Sequence, residues 1–310
     1  MKTVIKNISE LIQVEETTKK WVAGSDMAQL QTIKDAFVEM EGGIITAFGS
    51  MDEWSGIDNW NNTEIIDADD GMVFPSYCDS HTHLVFAASR ENEFVDRIKG
   101  LSYEEIAKKG GGILNSALKL QNTSEEELLA GALQRANEIM MMGTGAVEIK
   151  SGYGLTVNDE LKMLRVIKKL KEISPLTIKA TFLGAHALPQ EYKGNKEAYM
   201  DLVINEMLPQ VREEGLAEYI DIFCEDGYFD LADTERLLAA ASQYNLTPKT
   251  HVNQFNIIGG VQASVKYGAL SVDHLELMND ADIEALQETD CMPTLLPVSY
   301  THLPSPRDTM

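Results

Sequence analysis

The chain has little cysteine and no long apolar run. Its three cysteines, Cys78, Cys224 and Cys291, are an odd number without C-x-x-C spacing, which argues against a disulfide framework. The N-terminus lacks the apolar region of a signal peptide, and the apolar runs fall far short of the ~20 residues that span a bilayer. These absences predict a cytoplasmic protein without a membrane segment.

Positive charge is also scarce. The 310 residues include 26 Lys and Arg against 49 Asp and Glu, for a formal net charge of −23. This excess repels phosphate backbones and anionic lipid, so neither nucleic acid nor a membrane is an expected partner. No G-x-G-x-x-G follows a predicted strand and no G-x-S-x-G is present, so dinucleotide binding and serine nucleophile chemistry have no support.

The pattern of apolar and polar residues changes near residue 70. Residues 1–70 carry short alternating runs at 35–40 and 43–48, which predicts a small β domain. From residue 71, short apolar strands alternate with helical patterns, which is typical of βαβ units. The predicted strands are 72–79, 145–150, 177–185, 219–225, 248–252, 271–275 and 291–296.

Helix signals separate these strands. Ser124 and Glu127 form a capping box before a helix reaching 142, and residues 158–173 place their apolar positions on one face. Asp233 is expected to cap a helix that runs to 244. Polar motifs follow the carboxyl ends of the strands, which favours a (β/α)₈ barrel. An open doubly wound sheet is the competing α/β architecture.

Histidine placement indicates a metal site. His81 and His83 are two residues apart on an extended segment, so both imidazoles can reach one ion. His251 and His274 each end a predicted strand and would face the same barrel mouth. A polar turn or a core histidine explains any one of them alone, but explains all four poorly. Three histidines and a further carboxylate would leave a position for water.

Three further side chains are candidate substrate contacts. His186 follows a predicted strand, and Tyr153 lies between two glycines that could aim its hydroxyl inward. Arg90 could clamp a carboxylate. The alternatives are a backbone-held loop histidine, a simple turn and a surface arginine. The glycines at 110–112 could form a lid or a linker.

Three segments together resemble one enzyme family. They are residues 81–94 (HTHLVFAASRENEF), 147–155 (VEIKSGYGL) and 181–189 (TFLGAHALP). The chain resembles imidazolonepropionase, of the amidohydrolase superfamily, from about residue 45 to 297. The resemblance implies a metal-dependent barrel that opens the ring of 4-imidazolone-5-propanoate to N-formimidoyl-L-glutamate, a step of histidine degradation.

The resemblance also implies roles for individual residues. The side chains that match the family's ligands to one zinc or iron ion are His81, His83 and His251. Those that match its substrate contacts are Arg90, Tyr153 and His186. His274 matches the catalytic strand-six histidine, which acts on the attacking water. The implied partner is the small-molecule substrate, and a homodimer is the candidate assembly.

The chain departs from the family pattern in two places. Gln254 stands where the family has an acid, so it can orient the substrate but cannot act as a base. The family's remaining ligand is an Asp at the end of strand eight, whereas residues 71–297 are expected to hold strands one to seven, an incomplete barrel. Residues 298–310 resemble translated sequencing-adapter sequence, so His302 and Asp308 are not assigned to the site.

Two other functions stay open at this point. Another hydrolase of the superfamily, such as a deaminase of a nitrogen heterocycle, would share the histidines but not the substrate. A non-catalytic metal-binding or scaffold protein is the alternative from a different class. An open barrel that leaves two strand edges unpaired and lacks a ligand is expected to be unstable or to aggregate.

Overall fold

The computed structural model describes residues 1–101, 112–287 and 289–296, except positions 16, 18, 20, 21 and 23. The candidate lid glycines 110 and 111 and the tail from 297 lie outside the described residues. Two compact units divide at Ser76. The sequence predicts the division after residue 70, six residues before Ser76, and these domain bounds stay a prediction.

The first unit is a small sheet around a long central strand. Strand β1 (Lys2–Ile12) pairs antiparallel with β2 (Thr32–Glu41), which pairs antiparallel with β3 (Ile44–Ser50). The other edge of β1 pairs in parallel with β4 (Thr63–Asp67) and β5 (Met72–Val73). Ile8 and Leu11 of β1 form one buried cluster with Ala36 and Val38 of β2. The predicted N-terminal β sheet is confirmed.

In the second unit, the described residues form a parallel sheet of seven strands in chain order. The strands are β6 (Tyr77–Thr82), β7 (Thr144–Lys150), β8 (Thr177–Ala185), β9 (Tyr219–Cys224), β10 (Thr247–Val252), β11 (Ser271–His274) and β12 (Met292–Leu295). Each strand is hydrogen-bonded to its neighbour in sequence, and β6 and β12 stand at the two ends. A sheet wound in this order, with helices between strands, confirms the predicted incomplete (β/α)₈ barrel.

The helices of the barrel unit connect successive strands. They are α1 (Glu91–Ile98), α2 (Ile113–Gln121), α3 (Glu125–Met141), α4 (Val157–Ile173), α5 (Lys196–Leu202), α6 (Leu208–Glu213), α7 (Leu231–Ser242), α8 (Gly260–Lys266) and α9 (Asp280–Gln287). A π-helical turn, Val203–Met207, joins α5 to α6. Across the described part of the chain, every helix is too short or too polar to span a membrane.

Local sequence explains where the helices begin and which face they bury. The Ser124 hydroxyl accepts from the Glu127 amide while Glu127 reaches back, so the predicted capping box starts α3. On α4, Leu164 and Ile167 are fully buried at helical spacing. Burial of such a side chain stabilises the fold by about 1.5–3 kcal/mol.

Two sequence-based predictions need correction. The predicted strand 72–79 is wrong as a single element, because Met72–Val73 pairs with β1 in the small sheet and the barrel strand is Tyr77–Thr82. A proline between the two, at position 75, separates them because proline donates no ladder hydrogen bond. Asp233 is not the cap of α7; Asp230 is the N-cap, and Asp233 completes its capping box.

Candidate active site at the carboxyl ends of the barrel strands

Five histidines from four strands meet at one end of the barrel. The ring centroids of His81 and His251 lie 4.5 Å apart, and those of His251 and His274 lie 4.9 Å apart. His83 and His186 stack with centroids 5.2 Å apart. The structure therefore brings together all five histidines that the sequence places at strand ends.

The nitrogen atoms form two tight groups that share His251. One group is His81, His251 and His274, and the other is His83, His186 and His251; within each, the nitrogens lie within 4.8 Å of one another. The predicted trio of His81, His83 and His251 is adjacent, with centroids 4.5, 5.6 and 5.9 Å apart. The assignment of these three as the ligands stays a prediction.

Buried aspartates fix the orientation of two of these rings. The Nδ1–H of His81 donates to Asp273 Oδ2 at 2.7 Å, and the Nδ1–H of His251 donates to Asp221 Oδ2 at 2.7 Å. Asp221 Oδ1 also accepts from the His251 backbone amide at 3.0 Å. A carboxylate accepts hydrogen bonds, so both contacts favour a proton on Nδ1 and leave Nε2 as the nitrogen that can bind an ion.

A buried lysine lies beneath the histidines and joins these aspartates. The Lys150 ammonium, with no exposed surface, donates to Asp221 at 2.9 Å and to Glu148 at 2.8 Å, and lies 3.3 Å from Asp273. Lys249 lies 3.2 Å from Glu148 and donates to Ser271 Oγ at 2.6 Å. Two ammonium groups and three carboxylates thus share the interior of the barrel.

Burial keeps the imidazoles of His81, His83, His186 and His251 neutral. Desolvation and the nearby ammonium of Lys150 lower the pKa of His81 to about 4. Desolvation lowers the pKa of His186 to about 4 as well, and the pKa values of His83 and His251 lie well below the ordinary value for the same reason. Neutral imidazole is the form that binds a metal, so no ligand needs to lose a proton at neutral pH.

The donor set fits a transition-metal ion. Imidazole nitrogen is a preferred ligand of zinc and iron, and the cluster presents five rings at the ends of rigid strands. Within the described residues, His83 Nδ1 is buried and has no hydrogen-bond partner. A buried polar atom in that state needs an explanation such as a bound ion or water, which agrees with a metal site here.

A buried glutamate shapes the loop that carries Tyr153. Glu160 on α4 accepts from the backbone amides of Gly152, Gly154 and Leu155 at 3.0, 2.7 and 3.0 Å. The loop holds the Tyr153 ring 5.2 Å from the His83 ring. The carbonyl of Gly152 accepts from Nδ1 of His186 at 3.0 Å, so Tyr153 and His186 are positioned by one loop.

Arg90 and Tyr153 line a cavity of about 300 Å³ that opens beside His83. Its other walls come from residues 86–89 and from Ser116 and Leu120 on α2. The Arg90 guanidinium pairs with Glu93, which in turn accepts from the Gly112 amide at 3.1 Å. The wall of this pocket therefore includes the cation Arg90, the phenol Tyr153 and, from the histidine cluster, His83.

His274 is the last residue of β11, and Gln254 follows the end of β10. His274 ends β11 with φ of 86°, a strained conformation that turns the chain sharply after the strand. Its Nδ1 lies 3.2 Å from Glu276 Oε1. Gln254 is partly buried, two residues after the end of β10. The structure thus places a carboxylate, Glu276, next to the predicted catalytic histidine.

Sequence reasoning missed the charged groups that contact the histidines, their partners and the Tyr153 loop. They are Glu148, Lys150, Asp221, Lys249 and Asp273, together with Glu160 and Glu276. The first five of these groups could have been found from the sequence, because they are charged residues within predicted strands that are otherwise mostly apolar. Glu148 and Lys150, two residues apart on β7, point to the same face of the sheet.

Solved structures show the class of fold. Over 98% of this chain and 67% of the other, the structure resembles Klebsiella pneumoniae 5-methylcytosine deaminase with a TM-score of 0.64 at 14% identity. Aspergillus niger ochratoxinase gives 0.60 at 16% identity, over 94% of this chain and 64% of the other. With its histidines at the strand ends, the chain has the fold of an amidohydrolase-type barrel.

Proteins related in sequence identify the family of the chain, not only its fold. The chain is 59% identical to the imidazolonepropionase of Christiangramia forsetii and 57% identical to that of Flavobacterium johnsoniae, each over 297 residues. Each alignment covers 96% of this chain and 72% of the relative. No family model matches the chain. The chain belongs to the imidazolonepropionase family.

Proposed function

We propose that the full-length protein hydrolyses the cyclic amide of 4-imidazolone-5-propanoate to N-formimidoyl-L-glutamate, and that this chain carries active-site residues for the reaction. The observation that carries this proposal is the placement of Arg90 and Tyr153 in one pocket that reaches the histidine cluster at His83. The substrate has a carboxylate at one end and a cyclic amide at the other. The pocket offers a group suited to each end.

Arg90 binds the propanoate carboxylate. A guanidinium has five N–H donors in a planar fork, so a single arginine that pairs with Glu93 can also contact a second carboxylate. The pocket volume of about 300 Å³ suits a small substrate. With the propanoate held at Arg90, the ring is directed toward His83, and Tyr153 and His186 hydrogen-bond its polar atoms.

His81, His83 and His251 would hold one zinc or iron ion. Such an ion lowers the pKa of water toward ~7 and polarises an amide carbonyl. His274 moves the proton: its Nδ1–H donates to Glu276, so Nε2 accepts a proton from the attacking water and delivers it to the leaving nitrogen. Gln254 donates to and accepts from the substrate without changing charge.

A cytoplasmic location is part of the proposal and is argued from the cysteines and the net charge. Cys78, Cys224 and Cys291 are all free thiols, which agrees with the reducing cytoplasm. The large negative charge disfavours nucleic acid and anionic lipid as partners. The homodimer stays a prediction.

Turnover by the full-length protein loaded with Zn²⁺ or Fe²⁺ tests the proposal. The substrate 4-imidazolone-5-propanoate is incubated with the protein, and the product is identified by mass spectrometry. Formation of N-formimidoyl-L-glutamate that is lost in His83→Ala supports the proposal. No turnover, or preference for deamination of an aminated heterocycle such as cytosine, contradicts it.

A further inference from the structure

The Lys150 ammonium lies within reach of both histidine-bound aspartates. It contacts Asp221 Oδ2 at 2.9 Å and Asp273 Oδ2 at 3.3 Å. These same oxygen atoms accept the Nδ1–H of His251 and of His81, each at 2.7 Å. Two His–Asp pairs from four different strands therefore converge on a single cation.

The surroundings of Lys150 leave it little freedom. Its side chain has no exposed surface, and its third contact is with Glu148 Oε1 at 2.8 Å. An ammonium group has three N–H donors, so contacts with three carboxylates can occupy all of them. Asp221 and Asp273 also have no exposed surface, and two carboxylates this close would repel each other without a cation between them.

We propose that Lys150 is a positioning residue for the metal site, because it holds Asp221 and Asp273 where they fix His251 and His81 in the Nδ1–H tautomer. Both rings then present Nε2 to one ion. This inference rests on the proposed function. Lys150 touches neither the substrate nor the ion, and it acts through the two aspartates.

Lys249 provides a matched control. It is also buried in the barrel and also pairs with Glu148, at 3.2 Å, but it donates to Ser271 Oγ, and it is this hydroxyl, not the ammonium, that contacts Asp273 Oδ1, at 2.7 Å. Lys249→Met therefore removes a buried ammonium without removing the cation between the two aspartates. Lys150→Met removes that cation while keeping the aliphatic stem.

The first measurement reads the tautomers directly in the full chain without added metal. In protein labelled with ¹⁵N-histidine, two-bond ¹H–¹⁵N correlation spectra distinguish Nδ1–H from Nε2–H imidazole. The signals of the two rings are assigned with His81→Gln and His251→Gln. We expect both rings to be in the Nδ1–H form in the parent chain and in Lys249→Met, and we expect mixed tautomers in Lys150→Met.

The second measurement is the Zn²⁺ dissociation constant, from competition with a chromophoric chelator. Loss of groups that orient a ligand typically weakens metal binding about 10- to 100-fold. We expect a weakening of that size in Lys150→Met and little change in Lys249→Met. If Lys150 acted only as a repelling positive charge, its removal would tighten binding instead.

The outcomes separate the two proposals. Unchanged Nδ1–H tautomers in folded Lys150→Met, or unchanged or tighter Zn²⁺ binding, overturn the positioning role while the proposed function stands. A parent chain that binds no Zn²⁺ contradicts the metal-dependent function, and the tautomer spectra still decide the role of Lys150. Circular dichroism checks the fold, and Lys150→Gln, which keeps an N–H donor, replaces Lys150→Met if the latter does not fold.

Discussion

Replacement of Glu160 by glutamine tests how the loop that carries Tyr153 is held. Glu160 Oε1 accepts from the amides of Gly154 and Leu155, and Oε2 accepts from that of Gly152. A glutamine side chain has one oxygen, so it can keep two of these bonds but turns an NH₂ group toward the third amide. At least one buried donor is left unpaired.

The expected loss is about 2–3 kcal/mol. A buried donor without a partner costs about 1–3 kcal/mol, and the two remaining bonds lose the benefit of a charged acceptor. Urea denaturation measures the change in the free energy of unfolding, and hydrogen exchange at Gly152 and Gly154 measures local opening. Since about 1.4 kcal/mol is a factor of ten, exchange at these amides should quicken about tenfold or more.

Glu172, exposed near the end of the same helix, supplies the control. Glu172→Gln should change the free energy of unfolding by no more than about 0.5 kcal/mol. If Glu160→Gln is equally mild and the loop amides exchange at the parent rate, then the carboxylate does not hold this loop and the reasoning is wrong.

Three further predictions concern the pocket, the same loop and the thiols. Arg90→Ala should raise KM about 10- to 100-fold with a smaller effect on kcat, because a charge-assisted contact to the substrate is lost, whereas Arg236→Ala on the surface should change neither in steady-state assays. Gly154→Ala should destabilise the fold by at least about 1–3 kcal/mol in urea titrations, because its Cβ would lie 2.3 Å from the Glu160 backbone nitrogen; stability within about 0.5 kcal/mol of the parent would contradict this. The exposed thiol of Cys78 should react rapidly with Ellman's reagent at pH ~8. Cys224 and Cys291 should react slowly, because burial raises the pKa of each thiol to about 11; three fast thiols in folded protein would refute this.

The architecture was largely predictable from the sequence because its signals are local. Strand β8 has the predicted bounds, and α3 begins at its predicted capping box. The prediction failed where the outcome depends on pairing across the chain. Residues 72–79 are predicted as one strand, yet Met72–Val73 pairs with a strand whose partner residues lie more than sixty positions earlier in the chain.

The histidines of the site were predictable from the sequence, but the buried charged groups packed against them were not. Histidines at strand ends are visible in the sequence, because the ends of parallel strands meet at one edge of the barrel. The partners of Lys150 are not visible in this way, since Asp221 and Asp273 are 71 and 123 residues further along the chain. Only the three-dimensional arrangement shows which carboxylate meets which cation.

The charges inside the barrel also constrain how its strands can be aligned. Lys150 on β7 meets Asp221 on β9 and Asp273 on β11, so these contacts skip over the strands between them. A strand shifted by one residue would turn its charged side chains to the opposite face and leave their former partners buried without a counter-charge. A buried charge without its partner costs about 3–5 kcal/mol, so misaligned barrels are selected against during folding.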